Sequence, residues 1–261
     1  MQPIEGKEGR RGDIVVVGGK GGVGKTSISA MLVKLFLREG KSFLVIDADP
    51  VISLAYALGE KPKRTIGDYR QGLIESSEEQ QSVFKKPLKA IIREMLVQSQ
   101  RGYDLLALGR SEGKGCFCGI NDMLRYAIES LCGEYEITLI DCEAGIEQVN
   151  RRAVHRIDKL ILVTDTSQRG VAALAQIRDI AVKYNEGHPL EVKVIVNRIR
   201  NESEDRRVRA IAAEFGLEVV GYIPEDPIVR EYNLREQPLL DLPDNSLALQ
   251  ALNEIMRKFY T

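Results

Sequence analysis

Residues 18–26 read Gly-Gly-Lys-Gly-Gly-Val-Gly-Lys-Thr, and from Gly19 onward they have the spacing G-x-x-x-x-G-K-T of a phosphate-binding loop. The apolar run 14–17 before the loop predicts a strand, and the periodic pattern from about Ser27 to Arg38 predicts a helix after it. Glycines let backbone N–H groups turn toward an anion, and the N-terminus of a helix adds a favourable dipole. The stretch therefore predicts a nucleotide-binding site.

The end of the loop indicates how the phosphates are held. Lys25 is expected to contact the β- and γ-phosphates, and the Thr26 hydroxyl to bind Mg²⁺. A glycine-rich hairpin or a dinucleotide turn is the alternative, but neither requires Lys-Thr at its end. The predicted nucleotide-binding residues of this stretch are Gly19, Lys20, Gly21, Gly22, Val23, Gly24, Lys25, Thr26 and Ser27.

Beyond the loop, strand-like runs and helical patterns alternate along the chain. The predicted strands are 43–46, 103–108, 137–140, 160–163, 192–196 and 219–223. This alternation predicts an α/β fold, with a doubly wound, mostly parallel sheet and helices on both faces. Residues 60–101 are less apolar and show no strand signal, so we expect a helical insertion there. Residues 1–12 are predicted to be a flexible N-terminal tail, and residues 13–261 a single domain.

The composition is ordinary for a globular protein, at 44% hydrophobic and 29% charged residues with a net charge of −1. We therefore expect no nucleic-acid partner. No apolar run approaches the ~20 residues that a transmembrane helix needs, and the polar first dozen residues lack a signal-peptide core. We therefore expect a cytoplasmic protein without stable membrane insertion.

Acidic residues follow two of the predicted strands, where ligands bind in an open parallel sheet. Asp141 has the position of a carboxylate that supports Mg²⁺ in P-loop enzymes. Asp47 and Asp49 are two residues apart and would point the same way on an extended segment. One near Mg²⁺ and one orienting a water molecule would suit hydrolysis of a γ-phosphate. The alternatives are a turn before Pro50 and, for Asp141, a turn-capping role.

Lys20 is one lysine more than an ordinary phosphate loop has. On the rim of the loop, it could reach the phosphate of a neighbouring subunit, as an arginine finger acts in trans. Nucleotide binding would then hold two subunits face to face, and hydrolysis would release them.

Three segments resemble the deviant Walker A ATPases, a group that includes MinD, ParA, the arsenite-pump ATPase and the nitrogenase iron protein. They are the K-G-G-x-G-K-T loop from Lys20, the D-x-D-P segment from Asp47 and the D-x-x-x-G segment from Asp141. The resemblance covers nearly the whole chain from about Asp13. It implies an ATPase that binds ATP or ADP with Mg²⁺ and forms an ATP-sandwich homodimer, in which Lys20 touches the partner's nucleotide.

The same resemblance implies roles for further residues. Asp47 and Asp49 would belong to switch I, with Asp49 as the water-orienting residue, and residues 141–145 would be switch II. Many relatives have proline where this chain has Glu143. The implied catalytic residues are Lys20, Lys25, Asp47 and Asp49; the Mg²⁺ ligands are Thr26, Asp47 and Asp141; and the adenine-binding positions are Asn197, Arg198, Ile223 and Pro224.

Cys116 and Cys118 lie in a glycine-rich loop at the predicted carboxyl end of a strand. Two thiolates at this spacing can face one soft metal ion, but a tetrahedral site needs four ligands. A two-fold dimer presents the same pair twice and therefore supplies four thiolates. Such a site favours a soft or borderline ion, such as Ni²⁺, Zn²⁺ or Cu⁺. His155 and His188 are far from the pair in sequence and are predicted to be surface or packing residues.

The string 109–118 with Asn121-Asp122, and the segment 141–145 with Arg151-Arg152, resemble the CooC-type ATPases and their AcsF relatives. These proteins insert nickel into carbon monoxide dehydrogenase and serve acetyl-CoA synthase, respectively. The resemblance implies an ATP-dependent metallochaperone that binds nickel through its C-x-C pair at the dimer interface. The client would be one of these two nickel enzymes. Cys132 is predicted to pack its helix, and Cys142 to be buried beside switch II.

Two alternatives remain open. A positioning ATPase of the MinD or ParA kind would need a membrane-binding C-terminal helix or a basic DNA-binding face. The apolar stripe of the last helix is better explained by packing on its own domain, and the basic cluster at 206–209 has acidic neighbours. An electron-transfer ATPase like the iron protein would hold an iron–sulfur cluster between subunits. Its cysteines come from well-separated loops, unlike a C-x-C pair.

Overall fold

The computed structural model describes residues 12–75, 86–110, 118–143, 156–185 and 187–259. An eight-stranded sheet runs through the molecule in the order β3-β4-β2-β5-β1-β6-β7-β8. All neighbouring strands pair in parallel except β3, which is antiparallel to β4 at one edge. The strands are β1 Asp13–Gly19, β2 Phe43–Ala48, β3 Val97–Gln98, β4 Asp104–Ala107, β5 Ile137–Cys142, β6 Lys159–Thr164, β7 Glu191–Ile199 and β8 Val219–Pro224.

Helices cover both faces of the sheet. They are α1 Lys25–Arg38, α2 Ser53–Ala57, α3 Ile66–Glu75, α4 Leu88–Met95, α5 Cys118–Leu131, α6 Gln168–Tyr184, α7 Glu202–Glu214, α8 Pro227–Leu234 and α9 Leu247–Phe259. One buried cluster joins the sheet to α1, α2 and α9, and a second joins it to α3, α4, α5, α6 and α7. The predicted α/β fold with a mostly parallel, doubly wound sheet is confirmed.

The central strands are continuous apolar runs because each is covered on both faces. Successive residues of β1 alternate between the two clusters: Val15 and Val17 face the α1 side, whereas Ile14 and Val16 face the α5 side. The parallel register aligns the carboxyl ends of β2, β5 and β1, with Asp141 opposite both Asp47 and Val17. This alignment brings the phosphate loop and two of the predicted acidic residues to one edge of the sheet.

The region 60–101 forms the crossover between the parallel strands β2 and β4. Its helices α3 and α4 pack into the main core through Ile66, Ile92 and Met95. The expectation that it holds no strand is wrong, since Val97–Gln98 pairs with β4. Two residues are too few to show a strand periodicity, and the apolar run before them reads as a continuation of α4.

Several of the predicted features lie outside the described residues. They are the N-terminal tail up to residue 11, Cys116 and the loop around it, residues 144 and 145 of the implied switch II, and His155. Of Cys118, only its position as the first residue of α5 is described.

Candidate nucleotide site

The phosphate loop joins β1 to α1 and is shaped by glycines in left-handed conformations. Gly24 has φ 94° and directly precedes α1. A Cβ atom at Gly24 would lie 2.4 Å from the Asn197 side-chain nitrogen. That nitrogen donates a hydrogen bond of 2.8 Å to the Val23 carbonyl, and its partner oxygen accepts one from the Arg198 N–H. The loop is therefore held from behind by the end of β7, and glycine is required for this close approach.

The two ends of the loop are tied together by Lys25. Its ammonium group donates to the Lys20 carbonyl across 3.1 Å, and the residue is buried. Lys20 itself is exposed on the rim of the loop. Lys25 thus lies inside the loop, where a phosphate would bind, and Lys20 faces outward.

Asp141 at the end of β5 accepts two hydroxyl hydrogen bonds from α1. Thr26 donates to one carboxylate oxygen at 3.0 Å, and Ser29 donates to the other at 2.8 Å. Burial raises the pKa of Asp141 to about 6, against the lowering effect of these two hydrogen bonds and of the Lys25 charge. Thr26 and Asp141 therefore supply adjacent oxygen ligands of the kind Mg²⁺ prefers, so the residues present fit a magnesium–nucleotide site.

Asp47 is fully buried, and both of its carboxylate oxygens accept backbone N–H groups. One accepts from Ala55 at 2.9 Å and the other from Asp49 at 3.2 Å. Burial raises the pKa of Asp47 to about 7, against the opposing Ala55 hydrogen bond. These contacts fix the path of the chain after β2, which favours a positioning role for Asp47 over a direct role in catalysis.

Asp49 lines the phosphate-side cavity, which has a volume of about 400 Å³. Its carboxylate accepts hydrogen bonds from the Val51 N–H at 2.8 Å and the Ser53 hydroxyl at 3.3 Å. A carboxylate has about four acceptor positions, so Asp49 retains capacity to orient a water molecule. Of the two aspartates of the implied switch I, Asp49 lines the phosphate-side cavity, whereas Asp47 is buried.

A second cavity of about 450 Å³ adjoins the first, because Ser27 and Arg198 line both. Asn197 and Pro224 also line it, as the adenine prediction expects. Ile223 does not, since it is 1% exposed and packs in the core below. Alternation along β8 turns Ile223 inward and leaves Pro224 at the strand end. The two cavities together form a cleft, in which we call the part lined by the phosphate loop the phosphate end and the part lined by the predicted adenine-binding residues Asn197 and Pro224 the base end.

Ser29 and Asp226 were not found from the sequence, and Arg198, which was predicted among the adenine-binding positions, makes a contact with the phosphate loop that was not predicted. Ser29 lies one turn beyond Thr26, so its helical spacing would have placed it on the same face of α1. Arg198 adopts φ 61° where β7 shifts register against β8, and its guanidinium donates to the Gly22 carbonyl at 3.2 Å. Asp226 lines the base end of the cleft and is saturated by hydrogen bonds. Its position before Pro227 was the available signal of a helix cap.

Cys142, Cys132 and His188 lie within the described residues. Cys142 is buried, and burial raises the pKa of its thiol well above the usual range. Cys132 packs partly buried against the core, and His188 is exposed. Within the described ranges, no group of three or more His, Cys, Asp or Glu side chains is arranged to hold a metal ion. No helix in these ranges is long and apolar enough to cross a membrane.

Comparison with known proteins identifies the class. The family model "CobQ/CobB/MinD/ParA nucleotide binding domain" matches residues 14–239. The chain belongs to this family and is a P-loop ATPase of the MinD/ParA type.

Three known proteins illustrate how this chain relates to the family. It is 38% identical over 254 residues to an uncharacterized ATP-binding protein, MJ0685, of Methanocaldococcus jannaschii, covering 94% of this chain and 97% of that one. It is 32% identical over 185 residues to the carbon monoxide dehydrogenase accessory protein CooC of Rhodospirillum rubrum, covering 65% and 70%. The MinD cell division protein of Aquifex aeolicus has a similar structure, with a TM-score of 0.69, 26% identity, and coverage of 95% and 96%.

The raised pKa of Asp141 predicts a pH dependence of magnesium–nucleotide binding. Asp141 would hold Mg²⁺ through its ionised carboxylate, so protons would compete with the metal below about pH 6. From pH 7.5 to 5.5 we expect an affinity loss of about fourfold beyond that caused by protonation of the nucleotide itself. Isothermal titration of Mg-ADP into the wild type and into Asp141→Asn separates the two effects. The variant retains the effect of nucleotide protonation and lacks that of Asp141 protonation. Equal pH slopes in the two proteins would contradict the prediction.

Proposed function

We propose that this ATPase is an ATP-dependent metallochaperone. Two subunits close around ATP, bind Ni²⁺, or Zn²⁺ in its place, through their paired Cys116 and Cys118, and assist the maturation of a nickel enzyme. Carbon monoxide dehydrogenase and acetyl-CoA synthase are the client candidates. The similarity to CooC supports this proposal, although it covers only 65% of the chain.

The observation that carries the proposal is the attachment of the segment preceding the cysteine loop. The Leu108 N–H donates to the Asp47 carbonyl at 2.8 Å, and the Leu108 carbonyl accepts from the Gly67 N–H at 2.8 Å. Gly109 then turns with φ 65°, and a Cβ there would lie 2.2 Å from the Thr65 hydroxyl oxygen. The chain entering the cysteine loop is thus fixed to the residue that orders Asp49.

If metal binds in the cysteine loop as proposed, this attachment would connect the nucleotide site to it. Asp47 holds Asp49 through its side chain and Leu108 through its backbone carbonyl. A rearrangement of the Asp49 segment on ATP binding or hydrolysis would therefore act on the start of the cysteine loop. By linkage, metal binding would alter ATP affinity by the same factor.

The proposal predicts one bound Ni²⁺ or Zn²⁺ per dimer. Replacing Cys116 or Cys118 by alanine should abolish this binding, because two thiolates are lost from a four-thiolate site at once. Cys132→Ala is the matched control, since Cys132 lies beyond the other end of α5 and packs against the core. Gel filtration with metal analysis of each peak, with ATP or ADP present, measures both stoichiometry and oligomeric state. Metal binding that survives Cys116→Ala would refute the proposal.

A positioning ATPase is the second candidate, favoured by the similarity to MinD. One feature counts against membrane attachment of the MinD kind. The apolar stripe of α9 is buried against its own domain, including Leu249, Leu252 and Met256. The helix would have to leave the core to lie on a bilayer. Pelleting with liposomes or DNA in the presence of ATP distinguishes this candidate. A brown colour after anaerobic purification would instead indicate an iron–sulfur protein.

A further inference from the structure

Asp165 lies beside the phosphate loop, just beyond the end of β6. Strands β1 and β6 are parallel and in register, with Gly19 opposite Val163. The residues that follow these two positions leave the sheet together, so Lys20 and Asp165 emerge at neighbouring points of the same edge. The phosphate loop thus has a carboxylate next to its outward-facing lysine.

The Asp165 carboxylate is held in a fixed position. One of its oxygens accepts hydrogen bonds from the Ser167 N–H at 3.0 Å and the Ser167 hydroxyl at 2.5 Å. A Cβ at Gly170 would lie 2.7 Å from this oxygen and 2.6 Å from the Thr164 hydroxyl oxygen, so the first turn of α6 passes close to the carboxylate. The second oxygen accepts no hydrogen bond from another residue of the described ranges. A charge fixed in this way retains free acceptor capacity.

The Lys20 ammonium group likewise has unused hydrogen-bonding capacity. It is exposed, and within the described part of the chain its ammonium group has neither an ion pair nor a hydrogen bond. Its positive charge nevertheless acts on the aspartate. Burial raises the pKa of Asp165, but hydrogen bonds from Ser167 and then the charge of Lys20 outweigh it, and the pKa lies below its usual value. The two charges therefore interact across the rim of the loop.

We propose that Asp165 is a positioning residue that retains Lys20 on its own subunit until a nucleotide-loaded partner docks. The inference rests on the proposed function, in which Lys20 contacts the partner's nucleotide. Lys20 then exchanges one carboxylate for a more highly charged triphosphate. Asp165 thereby sets the concentration at which ATP closes the dimer, and it holds the lysine outside its own phosphate site.

Asp165→Asn tests the exchange. The amide oxygen can still accept from Ser167, so the turn is preserved while the charge is removed. With the ATP analogue AMPPNP, we expect the dimer dissociation constant to fall about two- to thirtyfold, because each of the two subunits gives up one charge interaction no stronger than an exposed ion pair. Analytical ultracentrifugation measures the constant. Asp179→Asn is the matched control, because Asp179 is an exposed aspartate of α6 that pairs with its neighbour Arg178; it should leave the constant unchanged.

The double variant Lys20→Ala/Asp165→Asn completes the cycle. If Asp165 acts through Lys20, this variant should dimerise like Lys20→Ala alone. An Asp165→Asn effect that persists without Lys20, or a weaker dimer in Asp165→Asn, would overturn the inference. If Lys20→Ala dimerises like wild type, the trans contact of the proposed function fails, and the inference fails with it. If Lys20→Ala weakens the dimer and Asp165→Asn does not strengthen it, only the inference fails.

Discussion

Asp141→Asn should reduce ATP hydrolysis by roughly 100- to 1000-fold while leaving the fold intact. Mg²⁺ in such a site stabilises transition-state charge by several kcal/mol, and a neutral amide is a much weaker ligand than a carboxylate. The two hydroxyl partners, Thr26 and Ser29, can rotate to accept from an amide as well as donate to it. The variant also removes a buried charge, so the free energy of unfolding at pH 8 should not fall.

Steady-state phosphate release and chemical denaturation measure the two effects separately. Asp104→Asn is the control, because Asp104 lies at the amino end of β4, two strands away from β5, and accepts from the Tyr135 hydroxyl. It should hydrolyse ATP at the wild-type rate. An Asp141→Asn enzyme within threefold of wild type would remove this residue from the magnesium site.

Asp226→Ala should lower the free energy of unfolding by about 3–5 kcal/mol, a large part of the stability of a typical domain. One Asp226 oxygen accepts from the Ile228 N–H at 2.8 Å and caps α8. The other accepts from the Ser246 hydroxyl at 2.7 Å and the Ala248 N–H at 3.0 Å at the start of α9. The substitution would leave buried polar groups at two helix ends without partners.

Urea denaturation at pH 7 measures this loss. Asp244→Ala is the control, since its ion pair with Arg38 is exposed and contributes less than about 1 kcal/mol. Burial raises the pKa of Asp226, but its hydrogen bonds outweigh burial and lower it overall. The stabilisation is therefore complete above about pH 4 and is lost as the pH falls through the folded-state value. A loss in Asp226→Ala no larger than in Asp244→Ala would contradict the assigned role.

Local patterns predicted most of the architecture. The phosphate loop, the long strands and most helices have periodicities and turn residues that can be read within a dozen residues. Residues 97–98 were missed because a two-residue antiparallel strand depends on its partner rather than on its own pattern. Asp47 and Asp49 were predicted as a pair, one near Mg²⁺ and one orienting a water molecule, and the family resemblance implied the second role for Asp49. The structure distinguishes them by burial, which spacing does not show.

The features that the sequence did not predict depend on contacts between distant segments. The hydrogen bond from Asn197 to the phosphate loop and those from α9 to Asp226 join residues that are far apart in sequence. No local sequence pattern predicts such bonds. Ile223 was predicted at the adenine together with Pro224, because the family resemblance implied that the whole Ile-Pro stretch binds there. The inward side of β8 is fixed only by its packing against the rest of the fold.

The Asn197 contact also has a consequence for how the protein is made. The loop at Gly24 packs against the Asn197 side chain, which the ribosome adds more than 170 residues later. A nascent chain ending before β7 can contain the whole G-x-x-x-x-G-K-T sequence and still lack the support that shapes it. Contacts of such long sequence separation form late. ATP binding should therefore require that β7 has been synthesised and has joined the sheet.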